Sequence, residues 1–571
     1  MRDIAKHLHC HPDFLSRKFK QYVDIDLSNY ILKARIERAK ELLKNQGILE
    51  CYISQARQRH EFSPAHDLKN SEIFMIKLHP QKTAFLPHRG IEGRTNVRLS
   101  HMNSFAPLLV AGFVVFASGN LFVRAQEANG GAAATSGQTN ASEPRMVDVG
   151  LGWAKSSINT VKFRHASLAT YQDTQFIAYY DANQKVVVGK RKLSEDTWEL
   201  KTTELTGNTR DAHNTISIAV DGEGYLHMSW NHHNEKLHYV ISKEPLSLEL
   251  IPAITDGVAE TKVTYPEFYN MPNGDLLLMF RDGMSGDGVV VLKRYDVKTK
   301  TWKTLHENLI ENHDTTLQIS GTNAGKLDTY NAYCEMCVDA KGTLHLGWVW
   351  RSTGDVKTNH NVCYAQSTDG GISWTTAAGK PQELPINALN CETALVVPTS
   401  HGLINQTSIA ADADGHPYIC TFFKPVKNPV TQLMVVHFDG NVWKSSQVGE
   451  RLTELNLGGI GTKRLLLSRP LILIDDSQKQ AKVNVIFRDV DRGDKITVAS
   501  TANIDQEPWT FKDLTLDAYG SWEPTGDDSL WRRDKTINLF VQNTNQLDSN
   551  DNMGTRIDPN PTMVRVLEWK P

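Results

Sequence analysis

DAHNTISIAVDGEGYLHMSWNHHN, residues 211–234, is followed by VTYPEFYNMPNGDLLLMFRDG, residues 263–283. In each stretch an alternating apolar run leads into a polar turn carrying Asp, Asn and Gly (VDGEG, MPNGD), and a second alternating run returns from it. That pattern is a β-hairpin, and the two hairpins are versions of one unit. Aligning Gly224 with Gly274 sets His213 and Tyr265 before the first strand of their hairpins, and Asn231 to His233 and Arg281 after the second. Because the second strand runs back antiparallel, strand starts and strand ends share one edge. His, Tyr and Arg residues far apart in sequence are therefore expected to converge.

The unit recurs outward from these two copies. Turn signals VDGEG, MPNGD, VDAKG, DADGH, IDDSQ and WRRDK follow one another from residue 220 onward, and an earlier unit lies in YQDTQFIAYYDANQKVVVGKR. About seven units of four short strands fit between residue 146 and the end, so the expected fold is all-β, a seven-bladed β-propeller. VDxxGxLHxxW occurs twice with one spacing, Asp221 to Trp230 and Asp339 to Trp348. STDGGISW, Ser367 to Trp374, fits the Asp-box turn, in which Asp369 and Trp374 brace a hairpin and carry no chemistry. In a propeller the innermost strand of each blade starts at one face. The residues in that register are His213, Tyr265, Tyr330 with Asn331, Asn405 with Gln406, and Arg469, while His233, Arg281 and Arg351 join from the second strands. Such a ring suits an anionic ligand although the 571-residue chain carries a net charge of −3.

That small net charge gives no reason to expect nucleic acid at the main domain, and a monomer is expected. Hydrophobic content of 40% with 12 Trp and 38 Gly suits a turn-rich chain with a large core. Residues 1–60 read differently: RDIAKHLHCHPDFLSRKFKQYV forms helix, turn and helix, and Asp26 to Ser28 cap a further amphipathic helix. The segment resembles the first half of the DNA-binding region of AraC-type regulators. Its second half is only a scrambled likeness, ISQARQRHEFSPAHDLKN, so a fusion or frameshifted remnant is expected rather than a working regulator. Residues 61–101 are an irregular connector. Residues 102–126 have the layout of a signal peptide, with Arg94, Arg98 and His101 ahead of a short apolar run, and 127–145 form a Gly/Ala/Ser/Thr linker. A secreted or periplasmic protein is expected, with processing near Met102 and no stable membrane span.

From about residue 146 to 571 the chain resembles the BNR-repeat propellers that include ulvan lyases and related lyases of rhamnose and glucuronate polysaccharides. The likeness rests on DAHNTISIAVD, the WNHHN that follows, YPEFYNMPNGDLLLMFRDG with its spaced Tyr and Arg, and WVWRSTGDVKTNHNVCYAQSTDGGISW. It implies His213, His233, Tyr265 and Arg281 as the catalytic group, with His232 competing for the place of His233. Asn214, Tyr330, Asn331, Arg351 and Asn405 are the expected substrate-binding residues beside them.

The residue types fit β-elimination next to a uronate, which requires that the C5 carboxylate be neutralised, the C5 proton removed and the departing O4 protonated. Arg281, helped by His233, offers paired donors to a carboxylate. His213 and Tyr265 are the proton-transfer pair, a Tyr close to Arg being expected to exchange protons more easily; which of them is the base is left open. No cofactor is required. Cys334-x-x-Cys337 and His360-x-x-Cys363 have ligand types suited to a structural zinc, whereas buried free thiols are the plainer reading of a chain with 7 Cys. Two other functions fit the composition: a sialidase-like hydrolase with a Tyr nucleophile, and a noncatalytic carbohydrate-binding or sensor propeller.

Overall fold

The computed structural model describes residues 142–571 apart from 286, 312–330, 478–480, 507 and 548–560. The helix-turn-helix-like segment, the connector, the signal-like segment and nearly all of the linker lie outside the described residues, as does Tyr330.

Seven antiparallel sheets make seven blades among the described residues. Blade 7 is closed by both ends of the domain: β1 (Arg145–Gly152) pairs with the last strand. Blade 1 comprises β2 (Leu168–Tyr171), β3 (Thr174–Tyr180), β4 (Lys185–Lys192) and β5 (Glu199–Thr206). Blade 2 has β6 (Ile216–Val220), β7 (Leu226–Trp230), β9 (Tyr239–Ser242) and β10 (Leu250–Pro252), with β8 (His233–Glu235) leaving it to pair in blade 3. There it joins β11 (Val263–Asn270), β12 (Leu276–Met284), β13 (Asp287–Asp296) and β14 (Thr301–Ile310). Blade 4 has β15 (Asn331–Val338), β16 (Leu344–Arg351), β17 (Asn359–Ser367) and β18 (Glu392–Leu395). Blade 5 has β19 (Ser408–Ala411), β20 (Pro417–Phe423), β21 (Gln432–Phe438) and β22 (Trp443–Gln447). Blade 6 has β23 (Leu471–Asp475), β24 (Lys482–Arg488), β25 (Ile496–Thr501) and β26 (Thr510–Asp513), and β27 (Ile537–Val541) with β28 (Thr562–Trp569) completes blade 7. Blade 7 has three strands rather than four. WRRDK is not a strand turn but lies in and just after a short helix, α1 (Asp528–Asp534), capped by the Asp527 side chain.

The core is divided into seven interblade clusters. Phe176, Ala178 and Tyr180 of β3 pack on blade 2, while Ile177 and Tyr179 of the same strand pack on blade 7. Period-two alternation thus sends successive side chains to different neighbours, and inner strands such as β3 and β16 are buried along their whole length. The repeated motif explains the turns between the strands. Asp221, Asp339 and Asp412 each accept two backbone N–H groups two and four residues on, and the glycines that follow (Gly224, Gly342, Gly415) sit at φ near +90°, where a Cβ is disfavoured. His227 and His345 of LHxxW each join that Asp to a tyrosine hydroxyl and are wholly buried, so they brace blades 2 and 4.

The 3-10 turn Lys162–Arg164 plugs the central channel. Phe163 faces one side; on the other, Lys162 Nζ and His165 Nδ1 lie 2.8 and 2.9 Å from Glu335 Oε1, and His165 Nε2 lies 3.2 Å from Asp528. A cavity of about 320 Å³ opens beyond this cluster, with Lys162, His165, Glu335 and Asp528 among its walls. Among the described residues no helix is long and apolar enough to cross a membrane.

Candidate active site

On the other side of the plug lies a cavity of about 260 Å³ whose floor is Phe163. His213, His233, Tyr265, Arg281, Arg351, Asn405 and Arg469 line it, so the expected convergence of seven of the sequence candidates is observed. Each arrives by a different local device.

His213 sits in the loop ahead of β6, inside a turn closed by Asp211, whose Oδ1 accepts both the backbone N–H of His213 at 3.0 Å and its Nδ1 at 2.5 Å. The second carboxylate oxygen is 2.6 Å from Nδ1 of His233, and the two imidazoles stack at 4.2 Å. His233 reaches this place because β8 pairs with β11, opposite Thr264. Burial lowers the pKa of His213 below 6.5; Asp211 opposes the shift, and His233 and Arg281 add to it.

Tyr265 does not precede its strand but lies within β11. The register slips between Thr264 and Glu267, and Tyr265 takes φ +55° in that bulge, a conformation a bulky side chain rarely adopts. A bulge of this kind re-aims a side chain, here onto Phe163 at 5.1 Å and under Arg281. Burial pushes its hydroxyl pKa up, Tyr333 adds to this, and the nearby arginines offset only part of it. The expected ease of proton exchange at Tyr265 is therefore corrected: its hydroxyl stays protonated at neutral pH.

Arg281, inside β12, lies over the rings of Tyr265 and Tyr333 at 5.0 and 5.5 Å. Its Nε donates to Gly283 O at 3.2 Å, whereas Nη1 is buried with no partner. Gly288 on β13 makes the room, since a Cβ there would stand 2.7 Å from Arg281 Cγ. Arg351, at the end of β16, donates from Nη1 to the Tyr333 hydroxyl at 3.1 Å, and its Nε is likewise buried without a partner. Arg469 differs: Glu523 takes its Nη1 at 2.8 Å, Asn405 O takes its Nε at 2.6 Å, and it stacks over Phe163.

Three expected ligand-binding residues do not reach the cavity. His232 is buried beneath it and accepts the backbone N–H of His238 on Nε2 at 2.7 Å, because successive residues entering β8 point to opposite sides. Asn214 bonds Asn208 O, and Asn331 bonds Met284 O at 3.0 Å; both are buried and tie loops to blades.

Tyr333 was not among the candidates and belongs to the site. Its hydroxyl is 3.1 Å from Ser285 Oγ and bonds Arg351, and burial, which would raise its pKa, is outweighed by Arg281 and Arg351 so that the net shift is downward. A signal existed: Tyr265 and Tyr333 each stand nine residues before their turn glycines, Gly274 and Gly342. Asp211 was also missed, as was the wall formed by Leu457, Ile460, Gly461, Thr462 and Lys463 from the segment between β22 and β23.

The cysteine spacing leads elsewhere. Cys334 packs between blades 3 and 4 and Cys337 between blades 4 and 5, as expected for positions three apart on a strand. Cys363 lies instead 3.9 Å from Cys391, and all five described cysteines are free thiols.

Comparison with known proteins agrees with this architecture. The BNR repeat-containing family is matched over residues 174–451. The long isoform of ulvan lyase from Pseudoalteromonas sp. (strain PLSV) is 31% identical over 130 residues, which is 22% of this chain and 12% of that protein. The long isoform from Alteromonas sp. (strain LOR) is 30% identical over 130 residues, again 22% and 12%. The match thus spans 12% of the length of these curated relatives. Among solved structures, a polysaccharide lyase superposes with a TM-score of 0.54 at 11% identity, over 75% of this chain and 98% of its own. An ulvan lyase of a new polysaccharide lyase family, solved bound to -[GlcA(1-4)Rha3S]-, superposes with a TM-score of 0.51 at 14% identity, over 69% and 92%. At these identities the structures establish a shared propeller fold.

Proposed function

We propose that this propeller is a polysaccharide lyase that cleaves a uronate-containing, ulvan-like polysaccharide by β-elimination. The observation that carries the reading is the pair of buried guanidiniums, Arg281 with Nη1 and Arg351 with Nε unpartnered, in a cavity whose described lining includes no Asp or Glu. Burying a positive charge without a counter-ion costs several kcal/mol, roughly, so an anionic ligand is what such a site is built to take. A planar carboxylate matches the guanidinium fork.

With the uronate carboxylate on Arg281 and Arg351, negative charge developing from C5 toward that carboxylate is stabilised. His213, kept neutral by burial, takes the C5 proton on Nε2. The C5–H electrons form the C4=C5 double bond, the C4–O4 bond breaks, and Tyr265, whose proton burial retains, protonates O4. His213 and Tyr265 stand 5.8 Å apart, ring centre to ring centre, close enough to serve neighbouring atoms, C5 and O4, of one sugar ring. The relatives named as ulvan lyases support the substrate class.

One observation favours a second reading. Tyr333, held by arginines that ease loss of its proton, resembles a tyrosine nucleophile of a sialidase-like hydrolase. The absence of a carboxyl pair from the described lining weighs against it. Digestion of a panel of uronate polysaccharides, ulvan included, decides the matter. Unsaturated uronate ends with ultraviolet absorbance are expected; saturated reducing ends would establish a hydrolase, and binding with no product a carbohydrate sensor.

A further inference from the structure

We propose that Asp211 is the positioning residue of this site, a single carboxylate that holds both His213 and His233 by their Nδ1–H groups and thereby turns a lone pair on His213 Nε2 toward the substrate. This rests on the elimination reading above. The carboxylate oxygens are divided between the rings, Oδ1 to His213 at 2.5 Å and Oδ2 to His233 at 2.6 Å, and the rings lie nearly parallel at 15°. Both histidines line the cavity, and no described protein group bonds either Nε2. An ionised carboxylate only accepts, so each Nδ1 must be the donor and the tautomer of each ring follows. Burial opposes ionisation of Asp211, but the two histidines outweigh it and hold the carboxyl below its ordinary range.

The same three residues could be taken for a cation site, since their ligand atoms lie within 4.8 Å of one another. Nitrogen and oxygen ligands on a metal with bonds of about 2 Å sit about 3 Å or more apart in tetrahedral geometry. The contacts from each Nδ1 to the carboxylate lie at hydrogen-bond rather than ligand–ligand spacing.

The charged and titratable groups facing His213 are Asp211 and His233 from blade 2 and the start of β8, Tyr265 and Arg281 from blade 3, and Arg469 behind Phe163. Burial, with His233 and Arg281 adding to it against Asp211, disfavours the protonated form of His213, which leaves it free to act as base.

The test uses the full chain and a uronate polysaccharide that the wild type cleaves by elimination. Asp211→Asn keeps the shape, but the amide accepts from only one ring and donates to the other, so one imidazole loses its productive tautomer. The expected result is a kcat lower by about a hundredfold or more, KM within about threefold, and an acid limb of kcat/KM moved to lower pH. A kcat within about threefold of wild type with an unmoved limb would overturn the assignment. Should the variant fail to fold, nitrogen-15 correlation spectra of histidine-labelled wild type decide. They are expected to show the Nδ1–H tautomer at His213, and the Nε2–H tautomer sinks the idea. If the wild type yields no unsaturated product, the elimination reading falls, whereas the tautomer measurement still judges Asp211.

Discussion

Arg281 shows how function is written against stability at a single residue. Its buried, unpartnered Nη1 contributes little to the stability of the fold, and under the proposed elimination its role is to hold the substrate carboxylate. Arg281→Ala should therefore leave Tm unchanged or raise it, while kcat falls by about a hundredfold or more, about 3 kcal/mol. Arg281→Lys should recover little, because a point charge cannot reproduce paired donors. A thermal scan beside the kinetics checks both halves, and a large drop in Tm on Arg281→Ala would mean a structural role instead. His213 yields a prediction in pH. As the proposed base it must be deprotonated, and its lowered pKa favours that form below the ordinary 6.5, so the acid limb of kcat/KM should lie under pH 6.5. Tyr265→Phe removes the proposed proton donor and should abolish most turnover without moving that limb; a limb that moved with it would assign the titration to the tyrosine.

At the scale of the element, a strand irregularity and a glycine together build the site. The bulge in β11 swings Tyr265 inward, and Gly288 across β13 leaves space for the stem of Arg281. Gly288→Ala puts a methyl 2.7 Å from that stem, so the guanidinium must shift. kcat/KM should fall by about tenfold or more with the blade still folded, because small misplacements of a clamp are costly. Unaltered kinetics would show that Arg281 has slack. The Asp box lies in another part of blade 4 and makes the contrasting case. Asp369 accepts from the backbone of Ile372 and Ser373 and from Ser373 Oγ, and Trp374 is buried behind it. Asp369→Ala should lower stability by about 1 kcal/mol or more and leave kcat alone, as denaturation and turnover measured on one preparation would reveal.

Across the whole molecule the closed ring of interblade cores leaves the channel as the place where charge is buried. Burial opposes protonation of His165, but Asp528 and Glu335 outweigh it and push its pKa up to about 10; burial and then Glu335 push Glu267 up to about 8. Both groups hold protons in the folded state that they lose when unfolded. For His165 the stabilisation is complete below 6.5 and is lost as pH rises toward 10; for Glu267 it is complete below 4.5 and is lost by about 8. Tm should therefore fall steadily between pH 6.5 and 10, and Glu267→Gln, which mimics the protonated acid, should flatten the part of the slope below pH 8. Parallel slopes for wild type and variant would remove Glu267 from the account.

What the sequence determined by itself was whatever depends on near neighbours along the chain. Alternation, the Asp and Gly of each turn and the recurrence of VDxxGxLHxxW are local, and they suffice for hairpins, blades and a propeller. They also bring His213, the His232–His233 pair, Tyr265 and Arg281 toward one edge, although Tyr265 and Arg281 lie within β11 and β12 rather than beyond their ends. Only the tertiary structure decided between His232 and His233, since the choice depends on β8 leaving blade 2 to pair with β11. It also replaced Asn331 by Tyr333, because facing the cavity depends on how β15 is rotated against its neighbours and not on where it begins. The same holds for the pKa order of the two tyrosines. Tyr265 and Tyr333 share one register in their repeats, yet burial raises the first while Arg281 and Arg351 lower the second, and those contacts exist only once blades 3 and 4 stand side by side.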